Sequence, residues 1–219
     1  MKPILQYLMI CLVILPVSAG WTSPPPGPIK VAAIFAKTGK AAAGNLNSFE
    51  GIRFAVGKLN QKGGILGQKI ELMEFDNHST PMHSKKAAQK AVESGVSIVF
   101  GANWSSHSMA MAKVLEKARI PMIAIYSTNP DVTRVGNYIF RVCFIDPFQG
   151  RIMSNFAFQD LKARTASVLI NTSGRYSGGL ADYFIRDFKA KGGKILFKEG
   201  YLHDTLNFSL LLEKIIPLK

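Results

Sequence analysis

Two short loops hold the residue types best suited to chemistry. Gly101-Ala102-Asn103-Trp104-Ser105-Ser106 follows an apolar, β-rich stretch from Val96 and precedes an amphipathic helix, and Ser127-Thr128-Asn129-Pro130-Asp131 follows the next apolar stretch. Helix N-terminal amides after Ser105 offer partial positive charge to an anion, while the hydroxyls of Ser105 and Thr128 donate without adding a full charge. That combination suits a small zwitterion. An amino acid is costly to dehydrate, so a site for one must replace water at both charges. The plainer alternative is that Ser105, Ser106 and Thr128 cap helices and turns, a common use of these residues. Trp104 either packs against a ligand side chain or fills the core, and its Gly/Asn/Ser surroundings favour the ligand.

Catalytic constellations do not emerge. Gly39-Lys40-Ala41 lacks both the earlier Gly and the Ser/Thr of a phosphate loop. His78, His83, His107 and His203 have no zinc-ligand spacing, and Cys143 sits in an apolar stretch with no evident base, as inert core would. The expectation is a binding protein and not an enzyme, with no cofactor and no metal.

The elements that must position these loops alternate. Ile29 to Phe35 reads as a strand, and Ser48 to Lys62 as a helix with Phe49, Ile52, Ala55, Val56 and Leu59 on one face. Lys62-Gly63-Gly64 ends that helix, and Gln68 to Phe75 returns as a strand, completing a βαβ unit. Then follow a helix over Pro81 to Glu93, a strand over Val96 to Phe100, a helix from about Ser106 to Ala118, and strands over Pro121 to Ile125 and Ile139 to Cys143. Such alternation predicts a parallel sheet with helices on both faces, whose ligands sit outside the carboxyl ends of the strands. Ile145-Asp146-Pro147 breaks the run and marks a domain crossover. A second block then begins: a helix over Phe148 to Leu161, a strand over Ala166 to Ile170, a helix over Gly179 to Lys191, a strand over Lys194 to Tyr201 and a helix from Asn207. Two strands make a poor sheet, so this second domain is expected to be cut short.

The chain has 219 residues with 27 Lys and Arg against 14 Asp and Glu, a formal charge of +13. The bases are spread along helices and no aromatic residues alternate with them, so a nucleic-acid partner is not expected. Residues 1–19 read as an export signal: Lys2, the apolar run Ile4 to Leu15, and the small residues Val17-Ser18-Ala19. Residues 20–28, with Pro24-Pro25-Pro26 and Pro28, read as an extended leader. With Cys11 lost with the signal, Cys143 stands alone and no intramolecular disulfide forms; no later stretch is apolar for long enough to act as a membrane segment.

These pieces together resemble the N-terminal part of type I periplasmic binding proteins of the leucine/isoleucine/valine group, the substrate-binding subunits of amino-acid ABC transporters. The residues that carry the resemblance are Glu50-Gly51-Ile52, Leu59 through Gly67, Glu74-Phe75-Asp76-Asn77, Gly101 through Ser106, Ile120 through Ile123 and Thr128 through Thr133. Asn-x-x-Gly-Gly-Ile-x-Gly, from Asn60 to Gly67, is the strongest of them. The resemblance implies an α/β type I periplasmic-binding-protein fold of two doubly wound parallel-sheet lobes, 29–145 and a truncated 146–219. It implies a carboxylate held by Ser105, flanked by Asn103 and Trp104, with further contacts from Tyr126, Ser127 and Thr128. Tyr126 is alternatively core or a backbone contributor. In Arg175-Tyr176-Ser177-Gly178, Tyr176 stands where the family's closing tyrosine is expected, or is an ordinary loop aromatic.

The chain departs from the family in lacking a first-loop aromatic between Lys37 and Asn45, and in lacking the remainder that supplies a carboxylate for the ligand ammonium. The function implied is extracytoplasmic capture of a branched-chain or other small amino acid, or a related amide, by a monomer that presents it to a membrane ABC permease. The setting implied is the periplasm or the cell surface. A ligand-sensing receptor domain and an inactive fragment remain the alternatives.

Overall fold

β1 (Ile29–Phe35) is buried on both faces, and its period-2 geometry divides the core. Ala32 and Ile34 point to one side of the sheet, Ala33 and Phe35 to the other. The computed structural model describes residues 27–218; the expected signal and nearly all of the expected Pro-rich leader lie outside the described residues.

β1 is followed by α1 (Ala42–Gln61), β2 (Ile70–Asp76), α2 (Pro81–Glu93), β3 (Ile98–Gly101), α3 (Ser105–Ala118), β4 (Met122–Ala124), a 3-10 turn over Pro130–Val135 and β5 (Ile139–Arg141). The five strands form one parallel sheet in the order β2-β1-β3-β4-β5. α2 and α3 cover one face through Ala87, Ala88, Ala91, Met111, Ala112 and Leu115, all buried against Ile34, Val99 and Met122. α1 covers the other face through Phe49, whose ring meets Phe35 edge to face at 5.2 Å. Because the five strands are parallel, the loops after β1, β2, β3 and β4 leave at one edge of the sheet, where the order reverses between β1 and β3.

The chain then continues through α4 (Asp146–Asn155), a π turn over Phe156–Asp160, β6 (Thr165–Asn171), α5 (Arg175–Ala190), β7 (Lys194–Tyr201) and α6 (Ser209–Ile215). β6 and β7 pair in parallel as a separate two-stranded sheet. α4 and α5 lie so close that a Cβ on Gly150 would come within 2.7 Å of the Tyr183 Cβ. No helix of the described residues is long and apolar enough to cross a membrane.

Several boundaries differ from expectation for identifiable reasons. α1 starts at Ala42 and not at Ser48, because Asn45 does not break it: its amide donates to Ala41 O at 2.7 Å and accepts Ala36 N–H at 3.3 Å, tying the helix start to the end of β1. Ala55 and Leu59 face outward, Leu59 42% exposed, since α1 lies over β1 and β2 and none of the described residues covers its other flank. Pro147 opens α4 where a break was expected, since proline suits the first helical turn. The expected helix to Leu161 loosens at Phe156 into the π turn, and α5 starts at Arg175, ahead of Gly179.

The Asn60-to-Gly67 motif proves to be scaffolding. Asn60 imitates a strand neighbour, donating to Ile70 O at 2.8 Å and accepting Ile70 N–H at 2.7 Å. Gly64 has φ +85°, and a Cβ there would stand 1.8 Å from Gln68 O, so only glycine permits the tight Ile65–Gln68 bridge.

Candidate functional site

A cleft of about 920 Å³ opens between the edge of the five-stranded sheet and the two-stranded unit, within the size range of small-molecule sites. Four helices begin at its wall. Ala41, Thr80, Trp104 and Gly174, the residues just before α1, α2, α3 and α5, all line it. Of these four, among the described residues, α2 alone has a side-chain cap, Thr80 Oγ1 accepting His83 N–H at 3.1 Å. Ala41, Trp104 and Gly174 cap nothing, so their helices present N–H groups and the positive ends of their dipoles to the cleft.

Ser105 is 2% exposed and opens α3. Its Oγ accepts Asn129 N–H at 3.3 Å, and its own proton has no acceptor among the described residues, leaving one donor for the cleft. Trp104, 37% exposed, stands between two imidazoles: His107 at 5.2 Å from its own helix and His203, after β7, at 5.5 Å from across the cleft. Burial lowers the His107 pKa to about 4, partly opposed by the Ser79 backbone, so that ring is neutral near pH 7. Lys40 and Asp204 pair across the mouth.

The expected residues fall into two groups. Asn103, Trp104, Ser105, Tyr126 and Tyr176 line the cleft. Of these, Asn103 is engaged inward, donating to Ser48 Oγ at 3.0 Å and Gly44 O at 3.3 Å, which pins the loop to α1. Tyr126 is 65% exposed, so it is not core, and the Tyr176 hydroxyl accepts from Gln149 Nε2 at 3.2 Å. Ser127 and Thr128 are absent from the lining. Ser127 is fully buried, its Oγ 2.6 Å from Ser108 Oγ and donating to Ala102 O at 3.0 Å. Thr128 is buried near Asp146.

Lys40, Ser79, His107, Arg175, Tyr201 and His203 also line the cleft, though the sequence did not single them out as ligand-site residues. Lys40, Ser79 and His203 follow β1, β2 and β7, so the rule that ligands sit beyond strand carboxyl ends was the signal that could have found them. The β1 and β2 loops are built around Asp76. Burial alone would raise its pKa, but the Thr38 hydroxyl at 2.7 Å and the backbone N–H groups of His78 and Lys37 hold it low.

The chain is similar to known proteins in sequence and in fold. Residues 28–216 match the sequence profile of a family described as "Periplasmic binding protein". The chain is 30% identical over 188 residues to the leucine-specific-binding protein of Salmonella typhimurium, covering 85% of this chain and 51% of that one. It is 28% identical over 188 residues to the Leu/Ile/Val-binding protein of Escherichia coli K12, with the same coverage of both. In structure it is similar to a leucine binding protein of Thermotoga maritima, with a TM-score of 0.81 and 34% identity over 86% of this chain and 53% of that one. It is equally similar, at 0.81 and 29% identity over 88% of this chain and 55% of that one, to a branched-chain amino acid transporter substrate binding protein of Streptococcus pneumoniae in complex with isoleucine. The chain thus spans about half the length of the relatives it matches.

Proposed function

Because the chain belongs to the periplasmic binding protein family, whose members bind ligands without transforming them, we propose that it captures a small amino acid of the branched-chain type for an ABC transporter outside the cytoplasm. The observation that carries this reading is the uncapped start of α3, where Ser105 holds a free hydroxyl proton beside unpaired N–H groups in a cleft faced by both units. A carboxylate replaces the missing cap there, and the rings of Trp104 and Tyr176 receive the side chain. Closure of the two units about Asp146 encloses the ligand, and the closed form is what a membrane permease recognises.

Calorimetric titration of the full chain with leucine, isoleucine and valine tests the reading. Saturable 1:1 binding of at least one supports it, and no heat from any of the three at millimolar concentration overturns it.

A further inference from the structure

α2 and α3 lie side by side on one face of the five-stranded sheet, and what they bury fixes what they show. α2 buries Ser84, Ala87, Ala88 and Ala91, and α3 buries Ser108, Met111, Ala112 and Leu115. At 3.6 residues per turn, the side of α2 turned away from the sheet carries Met82, Lys86 and Lys90, and that of α3 carries Lys113 and Lys117, all exposed. Helices packed in this way stand about 8–10 Å apart, so the two rows make one flat face. Lys85 flanks it on α2 and Arg119 follows the end of α3, both exposed.

None of these six cations is in an ion pair among the described residues, where Lys and Arg side chains elsewhere in the fold do pair. The two helices hold two acids. Glu93 is exposed, and Glu116 is occupied at the foot of the sheet, accepting Asn137 N–H at 3.2 Å and Tyr138 N–H at 2.9 Å. Lys90 and Lys117 sit in last turns, where they suit the helix dipole, but Lys85, Lys86 and Lys113 do not. Like charges left together repel one another, and a broad anionic partner relieves that cost.

We propose that the outer face of α2 and α3 is a docking surface for a bilayer bearing anionic phospholipid headgroups. Two features favour a bilayer over a nucleic acid. Neither helix carries Phe, Tyr or Trp on which a base could stack. Met82, 65% exposed, stands one turn before Lys86, an apolar group that the boundary of headgroups and acyl chains receives and a phosphate backbone does not. Docking here is independent of what the cleft holds, since none of the six cations lines it.

The test is co-sedimentation of the full chain with vesicles of mixed phosphatidylglycerol and phosphatidylcholine, and with vesicles of phosphatidylcholine alone. The ratio of the two affinities is the readout, because any pull from the apolar N-terminal run acts on both. Each basic residue near an anionic bilayer is worth about fivefold, so Lys86→Gln, Lys113→Gln and Lys117→Gln together are expected to lower the ratio at least about thirtyfold with an unchanged melting temperature. Lys62→Gln, Lys162→Gln and Lys189→Gln together remove the same charge from exposed positions elsewhere and are expected to leave the ratio within about threefold. Raising the salt to about 1 M, where the Debye length falls to about 3 Å, should bring the ratio of the parent chain close to one. A parent ratio of one at low salt, or an equal loss in the two variants, overturns the proposal. A larger loss of affinity for duplex DNA than for the mixed vesicles in the first variant overturns the bilayer as the occupant.

Discussion

The indole of Trp104 meets the imidazole of His203 at 5.5 Å with their planes 62° apart, so one aromatic contact joins the α3 start to the loop after β7. With the Lys40–Asp204 pair beside it, this contact links the two units across the cleft mouth. The ion pair is between exposed groups and contributes little, whereas a ring pair in edge-to-face contact is worth about 0.5–1.5 kcal/mol beyond its buried area. A double-mutant cycle of Trp104→Ala and His203→Ala, read by urea unfolding, is expected to show coupling of that size. Additive effects would mean that the contact does not tie the units together.

Glu74 makes the five-stranded unit sensitive to acid. Arg53 grips its carboxylate at 2.5 and 2.6 Å and Lys37 adds a contact at 2.8 Å; against the cost of burial, these hold its pKa down to about 2. Because the folded value lies below the unfolded one, the stabilisation is complete above the ordinary carboxylate range and fades as pH falls toward about 2. Glu74→Gln is expected to cost about 1–2 kcal/mol near neutral pH, a value reduced for the solvent around Arg53. The gap between variant and parent in chemical denaturation should narrow steadily below about pH 4. A pH-independent gap would rule out the carboxylate as its source.

Asp146 titrates in the opposite sense. It is fully buried where α4 begins, and among the described residues neither carboxyl oxygen has a well-formed hydrogen bond, the Thr128 hydroxyl lying near but unpaired. Burial pushes its pKa up, and the Thr128 hydroxyl and Arg141 only partly offset this. Arg141 is spent elsewhere, donating to Ser127 O at 2.7 Å, Asn129 O at 2.9 Å and Thr133 Oγ1 at 2.9 Å. With the folded value raised, the unfolded chain loses its proton first as pH rises, so stability falls through that window and stays low above it. Asp146→Asn removes the charge and keeps the shape. It is expected to gain about 1 kcal/mol near pH 7, with the gain vanishing below the ordinary carboxylate range. A loss of melting temperature at neutral pH would count against a buried, penalised carboxylate.

Strands were legible because apolar runs bounded by Gly and Pro leave little freedom, as at Ile29–Phe35 and Lys194–Tyr201, whose limits match the structure. The start of α1 was not, because Asn45 has the propensity of a turn residue and helps the helix only through a tertiary bond to Ala36. At the site, strand–loop–helix order is enough to place Asn103, Trp104 and Ser105 at the sheet edge. Arg175, lining the cleft opposite the start of α3, was beyond sequence: nothing local says that α5 begins at Arg175 or that the two-stranded unit turns that end toward α3.

Ser105, expected to hold the carboxylate, and Ser127, expected to add a further contact, are each a hydroxyl in a loop after a strand, and the fold gives them opposite surroundings. Ser127 donates inward to Ala102 O and its Oγ is within hydrogen-bond distance of Ser108 Oγ, a pair that locks the end of β3 to the first turns of α3. Ser105 has only the Asn129 N–H and keeps its proton for the cleft. Ser127→Ala is therefore expected to lower stability by about 1 kcal/mol and to leave ligand affinity within about twofold. Ser105→Ala should change stability little and weaken carboxylate binding by about 1–3 kcal/mol, since the anion loses a donor that water no longer replaces. Melting curves and calorimetric titration of both variants, with the same ligand, read the two effects separately. If Ser127→Ala loses affinity while Ser105→Ala keeps it, the carboxylate does not sit at the start of α3.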